Sequence, residues 1–289
     1  MRNKYGSFST VSVGGPSNVS VEYLVVAGGG ATGYGPSGGG AGGAGGLRTG
    51  SLVINLNSST VLVVGAGGST VSSTSLGPNG VDSSFSTITS SGGGGGGAYT
   101  ISHNGKDGGC GGGSIWVGAG GLGNTPSTTP SQGKNGGNGG AWAAGHAGGG
   151  GGGAGYVGAN ADAVSSFYAG AGGDGVASSI TGGAPITYAG GGGGCVQTSS
   201  WPNAAGGAGG GGTTMSNGAA NLGGGAGGVY GDHVNPSGRS GGSGVVILRW
   251  LTSAGSITVG AGLTADATGT DGLHSYKRIT AGSGTVTFA

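Results

Sequence analysis

A serine in a Gly-x-Ser-x-Gly frame occurs twice, at residues 35–39 and 238–242. In hydrolases that frame is a strand-turn-helix elbow exposing a nucleophilic hydroxyl. Here glycine fills 86 of 289 positions, so such frames arise by chance, and no helical pattern follows either one. Gly-x-Gly-x-x-Gly frames are uninformative for the same reason. A phosphate-cradling loop needs Gly-Lys-Ser/Thr, but Gly133-Lys134 runs into Asn135 and Gly105-Lys106 into Asp107. The calcium-binding Gly-Gly-x-Gly-x-Asp pattern fails where Gly120-Gly121-Leu122-Gly123 continues as Asn124-Thr125. His103, His146, His233 and His274 lack metal-ligand spacing. The carboxylates (Glu22, Asp82, Asp107, Asp162, Asp174, Asp232, Asp266, Asp271) are scattered, and no spacing marks an acid–base pair. No catalytic residue, metal ligand or cofactor is expected, and the chain reads as non-enzymatic.

Cys110 and Cys195 each sit in a glycine tract. Each reads first as a small packed residue, with a structural bridge as the alternative, and their spacing does not decide between them.

The elements that must position anything in this chain are therefore glycine tracts. Runs of glycine fill residues 92–97 and 148–153, with others near Gly39, Gly190, Gly209, Gly223 and Gly241. Only 6% of residues are charged and the formal net charge is +1. The scattered basic residues leave no nucleic-acid footprint, and the low charge argues against a solvated disordered chain. Ordering a glycine costs about 0.5–1 kcal/mol more than ordering an alanine. An ordered form therefore needs a dense backbone hydrogen-bond network. Several tracts repeat in threes, as in Gly136-Gly137-Asn138-Gly139-Gly140-Ala141 and Gly224-Gly225-Ala226-Gly227-Gly228-Val229. That is the period of an extended polyproline-II-type helix, which makes no internal hydrogen bonds and must find partners sideways. Collagen is excluded, because there are 8 prolines and no continuous Gly-x-y register. The expected fold is all-β with a glycine-rich core of packed left-handed polyglycine/polyproline-II-type helices. Glycine density leaves essentially no α-helix.

Strands frame this core. Alternation predicts an entry strand over 19–27, a hairpin over 52–64, a strand over 81–89 and an exit strand over 245–251 that pairs back on the entry strand. The glycine-rich domain is expected over 1–250. Residues 251–289 then form a small C-terminal β appendage of short strands at 256–259, 276–280 and 285–288, too small for a core of its own. Its candidate subunit contacts are Tyr276, Ile279, Val286 and Phe288. The last strand either adds to a neighbouring subunit or folds back on its own domain.

Between the tracts lie segments of variable length carrying Tyr99, His103, Trp116, Tyr156, Tyr168, Tyr188, Trp201, Tyr230 and His233. Aromatic and small polar residues on loops of a rigid scaffold are the make-up of binding surfaces. These residues are the ligand-contact candidates, and the alternative is that their rings fold inward and plug the edges of the core. Trp142, between Ala141 and Ala143, reads as packing. No run of about 18 apolar residues could cross a membrane as a helix. Met1-Arg2-Asn3-Lys4 leads into Tyr5-Gly6-Ser7-Phe8-Ser9, which supplies no apolar signal core. Export by the ordinary secretory route is not expected.

A series of frame motifs carries a resemblance over roughly 21–250. It comprises Val21-Glu22-Tyr23-Leu24-Val25-Val26-Ala27-Gly28-Gly29-Gly30, Gly42-Gly43-Ala44-Gly45-Gly46-Leu47-Arg48, Ser83-Ser84-Phe85 ahead of the 92–97 tract, Tyr188-Ala189-Gly190-Gly191, and Gly241-Gly242-Ser243-Gly244-Val245-Val246-Ile247-Leu248-Arg249. This series resembles the glycine-rich domains of bacteriophage tail fibres and related virion appendages. The architecture also resembles the tip adhesins of T-even-like phages, in which polyglycine helices stack and variable loops meet the receptor. The resemblance implies a virion location, homo-oligomers (a trimer or a filament), contacts with other virion proteins, and binding to a host surface glycan or outer-membrane protein. It implies neither nucleic-acid binding nor membrane insertion. The alternative is a self-assembling extracellular filament built head to tail by strand addition.

Overall fold

A computed structural model describes residues 17–142, 145–162, 168–197, 202–231 and 237–289. The glycine tracts in it are neither helix nor strand. Their backbone N–H groups choose partners with a period of three. Gly39, Gly42 and Gly45 donate to the carbonyls of Val229, Ala226 and Gly223, whereas Gly40, Gly43 and Gly46 donate to Gly97, Gly94 and Ser91. Ala27, Gly30 and Gly33 donate to Gly46, Gly43 and Gly40, and Gly28, Ala31 and Tyr34 to Val81, Pro78 and Ser75. Successive residues thus address different neighbours and every third returns to the same one. This is the bonding demanded of extended chains with three residues per turn and no internal hydrogen bonds.

Such packing has no room for a side chain at the inner glycines. A Cβ on Gly95 would sit 1.8 Å from the Gly77 carbonyl oxygen, and one on Gly96 would sit 1.8 Å from that of Gly40.

The strands are β1 (Asn18–Val26), β2 (Leu47–Asn55), β3 (Ser59–Val64), β4 (Ser83–Phe85), β5 (Ile88–Ser90), β6 (Gly140–Trp142), β7 (Gly145–Ala147), β8 (Val176–Ser178), β9 (Ile186–Tyr188), β10 (Val245–Leu251), β11 (Ile257–Val259), β12 (Leu263–Ala265), β13 (Gly269–Asp271) and β14 (His274–Phe288). One 3₁₀ turn spans Thr252–Ala254, and no α-helix occurs among the described residues. The fold is all-β, as the sequence predicts. The pairs β6–β7 and β8–β9 are separate ribbons, and the other ten strands form one antiparallel sheet in the order β2-β1-β10-β14-β3-β4-β5, with β11, β12 and β13 also on β14.

β14 organises that sheet. Its first half pairs with β10 (Val246 with Ile279) and its second half with β3 (Val64 with Gly282). β12 spans the junction, pairing with both Ile279 and Gly282, so β10 and β3 share the opposite edge. β13 and β11 continue the β12 side. Near the junction Gly282 takes φ +98, a region open to glycine. The two strand groups close around one apolar core of Val21, Tyr23, Val25, Leu62, Phe85, Val246, Leu248, Trp250, Ile279, Val286 and Phe288. Strands that switch sheets make such corners. The alternate residues Leu24, Val26, Val245 and Ile247 form a second cluster with Ala44, Cys110, Tyr188 and Ala189. Period-two alternation thus fuses the sheet to the glycine tracts.

Five expectations need correction. The entry and exit strands pair as expected, Val21 with Trp250 through Val26 with Val245, but the 52–64 hairpin does not form. β2 pairs with β1, and β3 with β14. Each half found a longer apolar partner than the other half offered. The 81–89 strand is the two short strands β4 and β5, folded at Ser86 with φ +55. The strands expected at 276–280 and 285–288 are one continuous β14, because both of its edges are occupied in cis. For the same reason residues 251–289 are the middle of the sheet rather than an appendage to it. Ile279 and Val286 are 0% exposed and Phe288 is 1% exposed, so these expected subunit contacts serve the chain's own core. Tyr276 is half-buried, its ring lying over Gly269 on β13.

Candidate functional site

The hydrogen-bond register gives the tracts two ends. At the sheet end, Ala27 bonds to Gly46, Gly46 to Ser91, Gly45 to Gly223, and Gly244 to Gly65. These residues adjoin β1, β2, β5, β10 and β3. At the other end, Gly33 bonds to Gly40, Gly40 to Gly97, Gly97 to Gly113, Gly149 to Ser114, Gly148 to Cys195, and Gly39 to Val229. The segments that follow these residues are loops, so the connections around 34–38, 98–104, 115–119 and 140–147 gather on one end, opposite the sheet.

Four rings meet there. Tyr99 stacks on His146 with centroids 4.8 Å apart and planes at 21°. Trp116 lies 5.3 Å from Tyr99 and meets His103 edge-on at 4.6 Å. Tyr99 and His103 are 5.7 Å apart. The rings come from three segments. Tyr99 and His103 stand on the turn leaving the 92–97 tract, where Ala98 and Ser102 form a bridge. Trp116 sits at φ +54 in the turn leaving the next tract, and Ile115 N–H donates to the His103 carbonyl, tying the two turns together. His146 is on β7.

His146 is the buried floor of the cluster, 4% exposed. Its Nε2 lies 2.5 Å from the Ser37 carbonyl oxygen. A carbonyl only accepts, so Nε2 carries the proton and Nδ1 is bare. Burial holds the imidazole below its ordinary pKa; the Ser37 bond opposes this and nearby His103 adds to it. Ser37 belongs to the first Gly-x-Ser-x-Gly frame, but the ring nitrogen is committed to its carbonyl and is not a base for its hydroxyl. Nothing in the sequence marks His146, because a contact across 109 residues leaves no spacing signal.

The remaining candidates divide. Tyr168 is exposed and joins the loop end through Asp162 N–H to its carbonyl. Half-buried Tyr230 also lies there, its hydroxyl donating to Asn203 Oδ1. Tyr156 is exposed but on the sheet side, where its N–H donates to the Asp174 carbonyl. Tyr188 corrects an expectation. It is 1% exposed and packs among Leu24, Ile247 and Ala189, because β9 lies over the outer face of the sheet. Trp201 and His233 lie outside the described residues, as does the side chain of Trp142.

Asn and Asp have a role that no sequence motif signals. Where a tract lacks a neighbour, a side-chain oxygen replaces the missing carbonyl. Asn79 Oδ1 accepts from Gly95 N–H, Asn104 from Ala119, Asp107 from Leu122, Asn135 from Gly123, Asn138 from Gly120, and Asp174 from Ala208. The scattered carboxylates Asp107 and Asp174 are thus engaged by the scaffold.

Both cysteines are free and fully buried. Burial pushes each thiol up to about 12. Cys195 Sγ donates to the Gly39 carbonyl at 3.1 Å. They act as small packed residues and form no bridge. Among the described residues no group of His, Cys, Asp and Glu could hold a metal ion. No helix among them is long and apolar enough to cross a membrane.

On the sheet, Arg249 bridges Glu22 at 3.0 Å and Asp271 at 3.1 Å, with His274 Nδ1 3.2 Å away. Clefts of about 350 and 230 Å³ flank it. This arginine ties β1, β10 and β13 together, and both carboxylates beside it are engaged.

Neither a search of curated proteins nor one of solved structures finds a match. A family model described as a glycine-rich domain matches residues 6–251. The match ends with β10 and leaves β11 to β14 outside it. Because the matched stretch takes in the tracts and the frame strands β1 to β10, the chain belongs to this glycine-rich domain family.

Proposed function

We propose that this chain is a non-enzymatic structural and adhesive protein of a bacteriophage tail fibre or virion appendage, its loop end meeting the host surface. The single observation carrying the reading is the gathering of aromatic loops on one end of the glycine tracts, with the β-sheet closing the other. A binding face needs a rigid scaffold that holds its loops in place. Here successive residues of a tract are tied to different neighbours, so each loop leaves a fixed root. The period of three in those bonds supports reading the tracts as left-handed polyglycine helices. The sheet end then faces other virion proteins or further copies of the chain. Repetition in a trimer gives the multivalence that weak surface contacts need.

Labelled full-length protein incubated with bacterial strains of differing envelopes tests the reading. Binding to a subset of strains, weakened at least about tenfold by Trp116→Ala (some 1.4 kcal/mol), supports it. Binding to no strain, or binding indifferent to changes at the loop end, overturns it.

A further inference from the structure

We infer that the ligand of the Tyr99–His103–Trp116–His146 cluster is an uncharged carbohydrate; this rests on the loop end being the receptor-binding face. The first ground is charge. The four segments that gather at that end, 34–38, 98–104, 115–119 and 140–147, contain no Asp, Glu, Lys or Arg, and among the described residues of the loops beside them Asp162 and Arg239 carry a formal charge. The Arg239 Nε donates to the Met215 carbonyl at 2.6 Å, which turns the guanidinium toward the protein. Phosphorylated or carboxylated glycans are recognised through Arg and Lys forks, and the four segments that hold the ring cluster contain none. Its polar groups are hydroxyls and amides such as Thr100, Ser102, Asn104 and Gln197.

The second ground is the state of the rings. Tyr99, His103 and Trp116 are half-buried, so they combine a packed side with an open one. They are also fixed in advance. His146 supports Tyr99 from below and is itself anchored to the main chain at Ser37. A held aromatic surface is a platform for the C–H face of a sugar ring, and the neighbouring hydroxyls and amides match its equatorial hydroxyls. Exposed Ile101 and Val117 flank the rings and extend the apolar floor. Burial holds the His146 imidazole at the base of the platform below its ordinary pKa, which disfavours a positive charge there.

The test titrates the full chain with defined neutral oligosaccharides (glucan, galactan and mannan series) and with anionic ones (polysialic acid, alginate, phosphorylated lipopolysaccharide core), at low and at high salt. The expected result is binding to a neutral series that persists at high salt and falls about tenfold or more in Trp116→Ala and in Tyr99→Ala. Trp116→Phe should retain most of it, and unchanged thermal unfolding of the variants excludes misfolding. Binding confined to anionic glycans, or abolished by salt, overturns the inference and leaves the receptor-binding reading standing. The inference fails in the same way if no glycan binds while whole cells still do. Binding to neither glycans nor cells overturns both.

Discussion

The Nε2–H of His146 donates to the carbonyl oxygen of Ser37 across 2.5 Å, joining β7 to a loop 109 residues earlier. That bond survives protonation of the ring, but a buried imidazolium beside His103 is disfavoured. The native pKa therefore lies below the unfolded one, with burial as the main cause. Between the two values the unfolded chain binds more protons, so stability rises with pH there. The contribution is complete above about pH 6.5, the unfolded reference, and is lost as pH falls toward the native value. Chemical unfolding between about pH 8 and about pH 5 should show wild type weakening from near-neutral pH downward. His146→Gln keeps a donor for Ser37 and removes the titration, so its profile should be flatter over the same window. Identical profiles would refute this assignment.

Glycines of the inner tracts should be intolerant of the smallest change. On Gly95 and Gly96 an added Cβ meets a backbone oxygen at 1.8 Å, and backbone on a neighbouring tract cannot rotate away. Gly96→Ala should cost more than about 4 kcal/mol, in the tail of single-substitution effects, or abolish folding. Gly183 offers the control. It lies in the turn between β8 and β9 and nothing stands within 4 Å of its built Cβ. Gly183→Ala should be neutral or stabilise by about 0.4–1 kcal/mol through the unfolded state. Melting curves of the two variants, side by side, decide the matter.

The Asn and Asp caps predict a chemistry-specific pattern. Leu122 N–H donates to Asp107 Oδ1 at 2.6 Å, and any acceptor oxygen there would serve. Asp107→Asn should leave stability within about 0.5 kcal/mol, and Asp107→Ala should cost about 0.5–1.5 kcal/mol for the lost bond. If Asn proves as costly as Ala, charge rather than geometry holds the site.

A chemical consequence attaches to the Asn-Gly pairs at Asn79, Asn104, Asn135, Asn138 and Asn217. Deamidation at such pairs requires the glycine nitrogen to attack the Asn side-chain carbonyl, with loss of ammonia. In the fold, the N–H groups of Gly80, Gly105, Gly136, Gly139 and Gly218 donate to Gly93, Ala119, Gly121, Gly118 and Ser240. Peptide mass spectrometry after prolonged incubation should find these asparagines intact in native protein and converted in denatured protein. Equal rates in the two would show that the tracts give no protection.

The class of the fold was legible because its carriers are local. Val19 to Val26 alternate, 245–251 is apolar and β-branched, and the glycine tracts repeat in threes. What failed was partnership. Nothing near residues 52–64 says that β2 belongs to β1 and β3 to β14, because pairing depends on apolar strands far along the chain. The site was half-legible. Tyr99, His103 and Trp116 stand out as aromatics between tracts, and the fold brings them together. Tyr188 looks the same in sequence and is buried, since burial there follows from where β9 lies. His146 and Ser37 gave no signal because their contact is created by the stacking of tracts.

β14 carries the last prediction. Its edges are taken by β10 and β3 on one side and by β13, β12 and β11 on the other. It contributes Ile279, Val286 and Phe288 to the main core, where Phe288 meets Trp250 edge-on at 5.4 Å. Removing residues 252–289 would strip these side chains from the core and leave one edge of β10 and one edge of β3 without a partner, so that β1 and β4 are their remaining neighbours. Burying one such large side chain is worth about 1.5–3 kcal/mol, and small domains have only about 5–15 kcal/mol in all. The truncated chain should therefore be insoluble or lack a cooperative melt, even though it retains the whole 6–251 stretch that matches the family. A milder variant separates core from pairing. Phe288→Ala should lower stability by about 3–5 kcal/mol and leave the loop-end rings in place, so that Trp116-dependent binding persists below its melting temperature. A truncated chain that folds and melts cooperatively would show that the strand is dispensable and that the sheet closes without it.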